Sequence, residues 1–311
     1  MAISRRDEIK AWRLLTPKGK SGFLELQRNA TIRDGVVYDV HGVDKSHRAE
    51  LVVRTTEKQH RALKARDELS THEVDNGGFV FALFDSCRTM EERFPSLSQS
   101  DLARLMFIGT YTSYKNGRLQ HENGRVIGRK QLESLVGMSR ARFSEFYRKL
   151  LEEEIIHEND GQLFMSPRVF YRGVLSESEY KLDEYQHTRM FRKTVRDLYR
   201  NYGGRTIKQL AIIYAVLPFV NFNTNVVCFN PQEGNEDDLK PMDLDNLAAL
   251  LHYNDTQKLR RALETIKLDN KPVFYLPHNI HNKRRRRIIV NPRVVFAGPA
   301  KSLAAIKVLF N

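Results

Sequence analysis

The sequence predicts a mainly helical chain with small β elements, of the α+β class, in which one unit occurs twice behind a small α+β N-terminal region. Two observations carry this, and a third bears on the partner. The stretch Ser166-Pro167-Arg168-Val169-Phe170-Tyr171-Arg172-Gly173 returns as Asn291-Pro292-Arg293-Val294-Val295-Phe296-Ala297-Gly298, with four identities in eight positions. Each copy closes a segment whose pattern is helix, helix, helix, then hairpin. Internal repetition fixes an architecture before any local assignment does. The third observation is charge: 51 Lys and Arg stand against 38 Asp and Glu, a net +13.

A chain of 311 residues suits two or three domains and can bury a sizeable core. The apolar fraction of 41% and charged fraction of 29% are those of a soluble globular protein. No apolar run approaches the length of a membrane span, and no signal-peptide apolar region opens the chain. Cys87 and Cys228 have no ligand spacing around them, which predicts a reduced cytoplasmic protein without a disulfide framework. The basic excess calls for a polyanionic partner, and nucleic acid is the usual one. It is unevenly placed: from His278 to Asn311 there are eight basic side chains and no acid.

Residues 1–95 are assigned to the N-terminal domain. Phe23–Leu26, Val36–Val40 and Leu51–Arg54 are predicted as strands of a meander, with turns at Asp34-Gly35 and His41-Gly42. Glu57 to Leu69 is predicted helical. Asp75-Asn76-Gly77-Gly78 is a turn before Phe79–Phe84, a run that periodicity alone leaves open between buried strand and helix start. Gly19-Lys20-Ser21 imitates the end of a phosphate-binding loop, but Leu14 stands where that loop needs its first glycine.

The first module is placed at 98–175. Ser98 with Asp101 predicts a capped helix carrying Leu102, Leu105, Met106 and Ile108. A second helix, Gly128 to Val136, puts Leu132, Leu135 and Val136 on one face. Gly137-Met138-Ser139 is a tight turn, with Ser139 set to cap a third helix. That helix repeats Phe143, Phe146, Tyr147, Leu150 and Leu151 at helical spacing and turns Arg140, Arg142, Ser144 and Arg148 the other way. Ile155–His157 and Gln162–Met165 form a hairpin around Asp160-Gly161. Residues 176–204 are predicted as a polar helical connector between the modules.

The second module is placed at 205–300, before a tail at 301–311. Leu210, Ile213, Tyr214 and Leu217 make an apolar face ended by Pro218. Asn221 to Lys240 is an insert holding Glu233, Glu236, Asp237 and Asp238, which would repel phosphate and is expected to face away from a bound duplex. Leu244, Leu247, Leu250 and Leu251 match the second helix of the first module. The next helix packs Leu259, Ala262, Leu263 and Ile266 inward and shows Thr256, Gln257, Lys258, Arg260 and Arg261 outward. Val273–Leu276 and Ile288–Val290 are the hairpin strands, with Lys283, Arg284, Arg285, Arg286 and Arg287 between them.

Helix-turn-helix followed by a hairpin is the winged-helix pattern, so the chain is predicted to hold tandem winged helix-turn-helix modules. A helix that enters the major groove needs one apolar stripe as anchor and one stripe of donors for base edges and phosphates. Both third helices meet that demand. Arginine suits guanine and glutamine suits adenine, which makes Arg142 and Gln257 the leading base-reading candidates. Arg129, Lys130 and Ser139 are counted among the DNA-binding residues, and helix N-terminal N–H groups with the Lys and Arg of the hairpin are expected to hold phosphates. No catalytic set assembles: His278 and His281 lack further zinc ligands, and Glu152-Glu153-Glu154 ends a helix on a solvated face. No enzyme, no cofactor and no metal are therefore expected.

The order of helix, Gly-Arg-Lys-Gln-Leu helix (128–132), Gly-Met-Ser-Arg turn (137–140), long helix, hairpin and Ser-Pro-Arg-Val-Phe-Tyr-Arg-Gly resembles the winged-helix replication proteins of Firmicute plasmids, the RepL type. Leu217–Cys228 and the closing Asn291-Pro292-Arg293 are similar to phage-encoded relatives. The resemblance spans roughly 98–300. It implies a DNA-binding protein of the bacterial cytoplasm, nucleoid-associated, acting in replication initiation or transcriptional regulation, with host replication or transcription proteins as candidate partners. This chain departs from the family in carrying the module twice behind a meander. The expectation is a non-enzymatic binder of double-stranded DNA on an extended or directly repeated site, with no membrane contact. The alternative is a phage interaction protein whose winged helices bind a host protein.

Overall fold

The computed structural model describes residues 12–34, 36–48, 57–84, 89–182, 185–203, 207–276 and 287–310. Helices and short antiparallel strands are mixed along them, which is compatible with the α+β class. The chain divides into two units between His60 and Arg61, so the first 95 residues are shared between both.

In the first unit, α1 (Pro17–Asn29) starts at Thr16, whose hydroxyl accepts from Gly19 N at 3.1 Å, with Pro17 in the first turn. This overturns the strand expected at Phe23–Leu26. Cap, proline and the helix-forming Lys, Leu, Glu and Gln that follow outweigh a short period-two pattern. The same helix holds Gly19-Lys20-Ser21, so no loop exists there. The turn expected at Asp34 and the strand expected after it are present, but the strand that β2 (Val36–Tyr38) pairs with is β1 (Thr31–Arg33), which the sequence reading did not assign. The strand predicted at Leu51–Arg54 lies outside the described residues.

Helix α2 (Glu57–Asp75) ends at Gly77 and Gly78, both at positive φ, and the chain turns into β3 (Phe79–Phe84). Then follow α3 (Met90–Arg93), α4 (Gln99–Gly109), α5 (Arg129–Val136), α6 (Arg140–Glu152), β4 (Ile156–Asn159), β5 (Gln162–Met165) and β6 (Phe170–Tyr171). The second series is β7 (Gln186–Phe191), α7 (Arg192–Asn201), α8 (Ala211–Ala215), α9 (Leu244–Leu250), α10 (Thr256–Thr265), β8 (Lys267–Leu268), β9 (Lys271–Pro272), β10 (Phe274–Tyr275), β11 (Ile289–Val290), β12 (Val295–Phe296) and α11 (Ala300–Lys307).

Both Pro-Arg-Val terminators end as edge strands of one antiparallel sheet, ordered β12-β7-β3-β6. The expected helical connector at 176–204 is thus corrected in its first part, whereas α7 (Arg192–Asn201) is helical as expected. The connector's Gln186–Phe191 segment is a central strand, with Thr188 and Met190 buried between β3 and β12. Its arginines give it a solvated look, yet Arg189 lies 5.6 Å over the Phe79 ring and 3.5 Å from Glu73. A strand with both neighbours paired tolerates such a long amphipathic side chain.

The two series repeat bond by bond. After α4, Ser113 N donates to Arg118 O at 2.9 Å and Gln120 N to Tyr111 O at 3.0 Å. After α8, Asn221 N donates to Val226 O and Cys228 N to Phe219 O, both at 2.8 Å. Each pair is displaced by the same 108 positions, Ser113 to Asn221 and Leu119 to Val227 alike. The hairpins then lock on: Met165 N to Gly117 O (2.8 Å) matches Val290 N to Asn225 O (3.0 Å). Leu83 N to Val169 O and Phe191 N to Val294 O, each 3.0 Å, tie the terminators to the sheet. The matched hairpin strands are β5 and β11. The second series adds the tight hairpin β8–β9, whose turn Asp269-Asn270 sits at positive φ and which the sequence pattern did not predict.

One continuous apolar core serves both series. Phe107 of α4 stacks on Tyr199 of α7 at 3.7 Å between ring centres, and Phe170 of β6 on Tyr214 of α8 at 5.7 Å. Polar clamps hold the terminators. Arg93 donates to Leu83 O and, at 2.7 Å, to Arg168 O; buried His72 donates through Nε2 to Pro292 O at 2.9 Å.

Both the repeated bonds and the clamps can be tested. Gly117 has φ +70°, and a Cβ there would lie 2.8 Å from Met165 O, so Gly117→Ala should lose about 1–3 kcal/mol in urea unfolding. Unchanged stability would mean that this bond does not form. Burial, the larger effect, holds the His72 imidazole below its usual 6.5 against the raising bond to Pro292. The unfolded chain then takes up protons that the folded chain refuses, so stability falls as pH drops below 6.5 toward 5. His187, lowered chiefly by burial, acts in the same sense. Replacing His72 with Gln should flatten the slope, as read by denaturation at pH 5 and 7.

Candidate nucleic-acid interface

Helix α5 ends in Gly137 at φ +66°, a left-handed residue that turns the chain directly into α6. Phe143, Phe146, Tyr147 and Leu150 of α6 are buried, whereas Ser139, Arg140, Arg142, Ser144 and Arg148 are exposed. The helix is therefore anchored along one stripe and presents the other. Arg140 and Arg142 make no ion pair among the described residues, while Arg148 spends its charge on Glu152 at 2.6 Å. Lys130 is exposed at the start of α5. Arg129 lies 4.8 Å over the Tyr147 ring, whose hydroxyl donates to Glu158 at 2.6 Å; burial first, then that carboxylate, push the phenol pKa up.

Ser139 stands at the N-cap of α6 with extended backbone, but its side chain makes no capping bond. The N–H groups of the first turn keep their positive end for an anion. Asp255, the matching residue before α10, does the opposite. Its carboxylate accepts from Gln257 N at 2.8 Å and puts negative charge where a phosphate would go.

Helix α10 buries Leu259, Ala262 and Leu263 and exposes Gln257, Lys258 and Arg261. Thr256 donates to Asp245 at 2.8 Å and Arg260 lies 3.7 Å from Glu264, so both are partly engaged. Lys283, Arg284, Arg285 and Arg286 lie outside the described residues. Arg287 pairs with Glu236 of the acidic insert, so the insert lies beside the strand that Arg287 precedes. The insert is bent back by Asn221, whose Nδ2 donates to Pro231 O and Glu233 O and whose Oδ1 accepts from Asn223 N and Thr224 N.

Two arginines of the supposed connector are buried, against the solvated face expected of them. Arg192 donates to Thr110 O at 2.8 Å; Arg196 donates to the same oxygen at 2.7 Å and to Thr110 Oγ1 at 2.9 Å. Thr110 closes α4, so two cations from the second series complete the carbonyl end of a helix in the first. Glu122 lies 2.6 Å from Arg196, and burial with the neighbouring Arg172 and Arg196 lowers Arg192 to about 10. A signal existed: Arg192 and Arg196 are four apart on the face that carries Val195 and Tyr199.

Among the described residues no group of three or more His, Cys, Asp or Glu could hold a metal ion, and no helix is long and apolar enough to cross a membrane. The chain matches no known protein family, no curated protein and no solved structure.

The geometry separates structural arginines from presented ones. Arg196→Ala should lower stability by about 2 kcal/mol, because buried Thr110 Oγ1 loses its donor and Thr110 O keeps only Arg192. Arg142→Ala should leave stability within about 0.5 kcal/mol, as surface changes do. Thermal unfolding of both variants checks this, and equal losses would refute the assignment.

Proposed function

We propose that the chain is a non-enzymatic binder of double-stranded DNA built on two winged helices, acting in replication initiation or transcriptional regulation. One observation carries the reading. Helix, left-handed turn, helix with apolar inside and cations outside, then hairpin occurs in two series with the same backbone bonds. In the reading, α6 and α10 enter the major groove, and the cations of the hairpin that follows β10 lie on phosphates. Arg142 and Gln257 contact base edges. Arg140, Lys258, Arg261, Lys130 and the free first turn of α6 set register on the backbone.

A salt titration on random and selected duplexes tests this. Cations that neutralise phosphates displace condensed counterions, so log affinity falls with log salt. Replacing Lys283 to Arg286 with alanine should make that slope shallower by about 0.9 for each phosphate no longer neutralised, on any duplex. Arg142→Ala and Gln257→Ala should each cost about 1–3 kcal/mol on the selected duplex and little on random DNA. A chain that ignores salt and duplex alike would instead support a protein partner.

A further inference from the structure

The register of the central ladder says how the two series are related. Strands β3 and β7 pair antiparallel, Phe79 opposite Phe191, Val80 opposite Met190, Phe81 opposite Arg189, Ala82 opposite Thr188. The displacement of 108 positions makes Arg189 the counterpart of Phe81, Thr188 of Val80 and Met190 of Ala82. Phe81 therefore faces its own counterpart. The Val80–Met190 pair becomes the Thr188–Ala82 pair when the series are exchanged, so the ladder maps onto itself. The outer strands obey the same operation: Phe81 faces Tyr171 and Ala82 faces Phe170, as Arg189 faces Phe296 and Met190 faces Val295. This is a two-fold axis through the Phe81–Arg189 pair, normal to the sheet. Units related by translation along the chain would have no such axis.

From each terminator the matched bonds run through the hairpin to the segment after α4 or α8, so the operation extends beyond the sheet to the helical frames. Leu132 and Val136 of α5 are buried like Leu247 of α9 and Leu251 at its end, and Phe143, Phe146 and Tyr147 of α6 like Leu259, Ala262 and Leu263 of α10. A two-fold presents its reading helices to a duplex in opposite senses, since duplex DNA carries two-fold axes of its own.

We infer that one chain reads two half-sites in inverted orientation, and not the direct repeat that a tandem sequence suggests. The inference rests on the DNA-binding reading above. The half-sites are related but unequal, because Arg140 and Arg142 of one helix stand where the other has Thr256 and Lys258. One polypeptide thus covers a near-palindrome that commonly takes a dimer.

Tethered cleavage tests it on the full chain. Ser134 and Ala249 are matched, exposed positions on α5 and α9, outside the reading helices. Ser134→Cys and Ala249→Cys are made singly in a Cys87→Ser background. Cys228 can stay, because it is buried and burial pushes its thiol to about 11. Each variant carries an iron chelate and is bound to the tightest duplex selected from a random pool. The expected result is cleavage centred on opposite strands, at mirror positions about one midpoint. Reversing one half-site within that duplex should then weaken binding about tenfold or more. Cuts on the same strand with the same polarity, or cuts from one position alone, would overturn the inverted arrangement and leave DNA binding standing. A pool that yields no bound duplex would overturn both readings.

Discussion

The antiparallel pairing of β3 with β7 is the constraint on which the rest depends. Six residue pairs join strands that each open one series, and the closing strands β6 and β12 pair outside them. Without this ladder both terminators would lose the edge they dock on. The core on the same elements is continuous, with Phe107 on Tyr199 and Phe170 on Tyr214 crossing between the series. Buried Arg192 and Arg196 add a polar tie at the end of α4. Sheet, core and tie make one folding unit of what the sequence divides into modules and a connector.

The interface is symmetric in frame but not in charge. On α6, two arginines and an open first turn face outward with little opposing charge. On α10, Asp255 fills the first turn and Glu264 takes Arg260, and ahead of β11 Glu236 takes Arg287. Local carboxylates reduce the field that a phosphate would meet, and they do so without altering the backbone. In the proposed function this makes the first helix the stronger electrostatic anchor.

Much of the frame is legible in the sequence because helices announce themselves through spacing and punctuation. Ser98 with Asp101, Gly137 and the stripe Phe143–Phe146–Tyr147–Leu150 mark α4 to α6 nearly to the residue. The unbroken apolar run of β3 leaves strand and helix open, and only pairing with β7 decides between them. β7 itself is hidden because its burial comes from neighbours far along the chain, while Arg189 gives it a polar look. Phe23–Leu26 misleads for the converse reason: a short apolar run suits a strand, yet Thr16 and Pro17 have already started a helix. The candidate side chains are legible as a basic face. Which of them are already engaged by Glu152, Glu264 or Glu236 depends on rotamers and loop paths that spacing does not encode.

The axis through Phe81 and Arg189 has a consequence for concentration. Two separate subunits joined by such a ladder part on dilution, and their occupancy of a site rises with the square of subunit concentration. Here residues 174–185 covalently join the last strand of one series to the first of the other, which makes the pairing intramolecular. The assembly is thus complete in a single copy of the chain, at any abundance. Covalent joining also lifts the demand that both surfaces be identical, since each is encoded separately. Ser139 on one side and Asp255 on the other are that freedom in use: one scaffold, presenting two unlike faces, in a fixed one-to-one ratio.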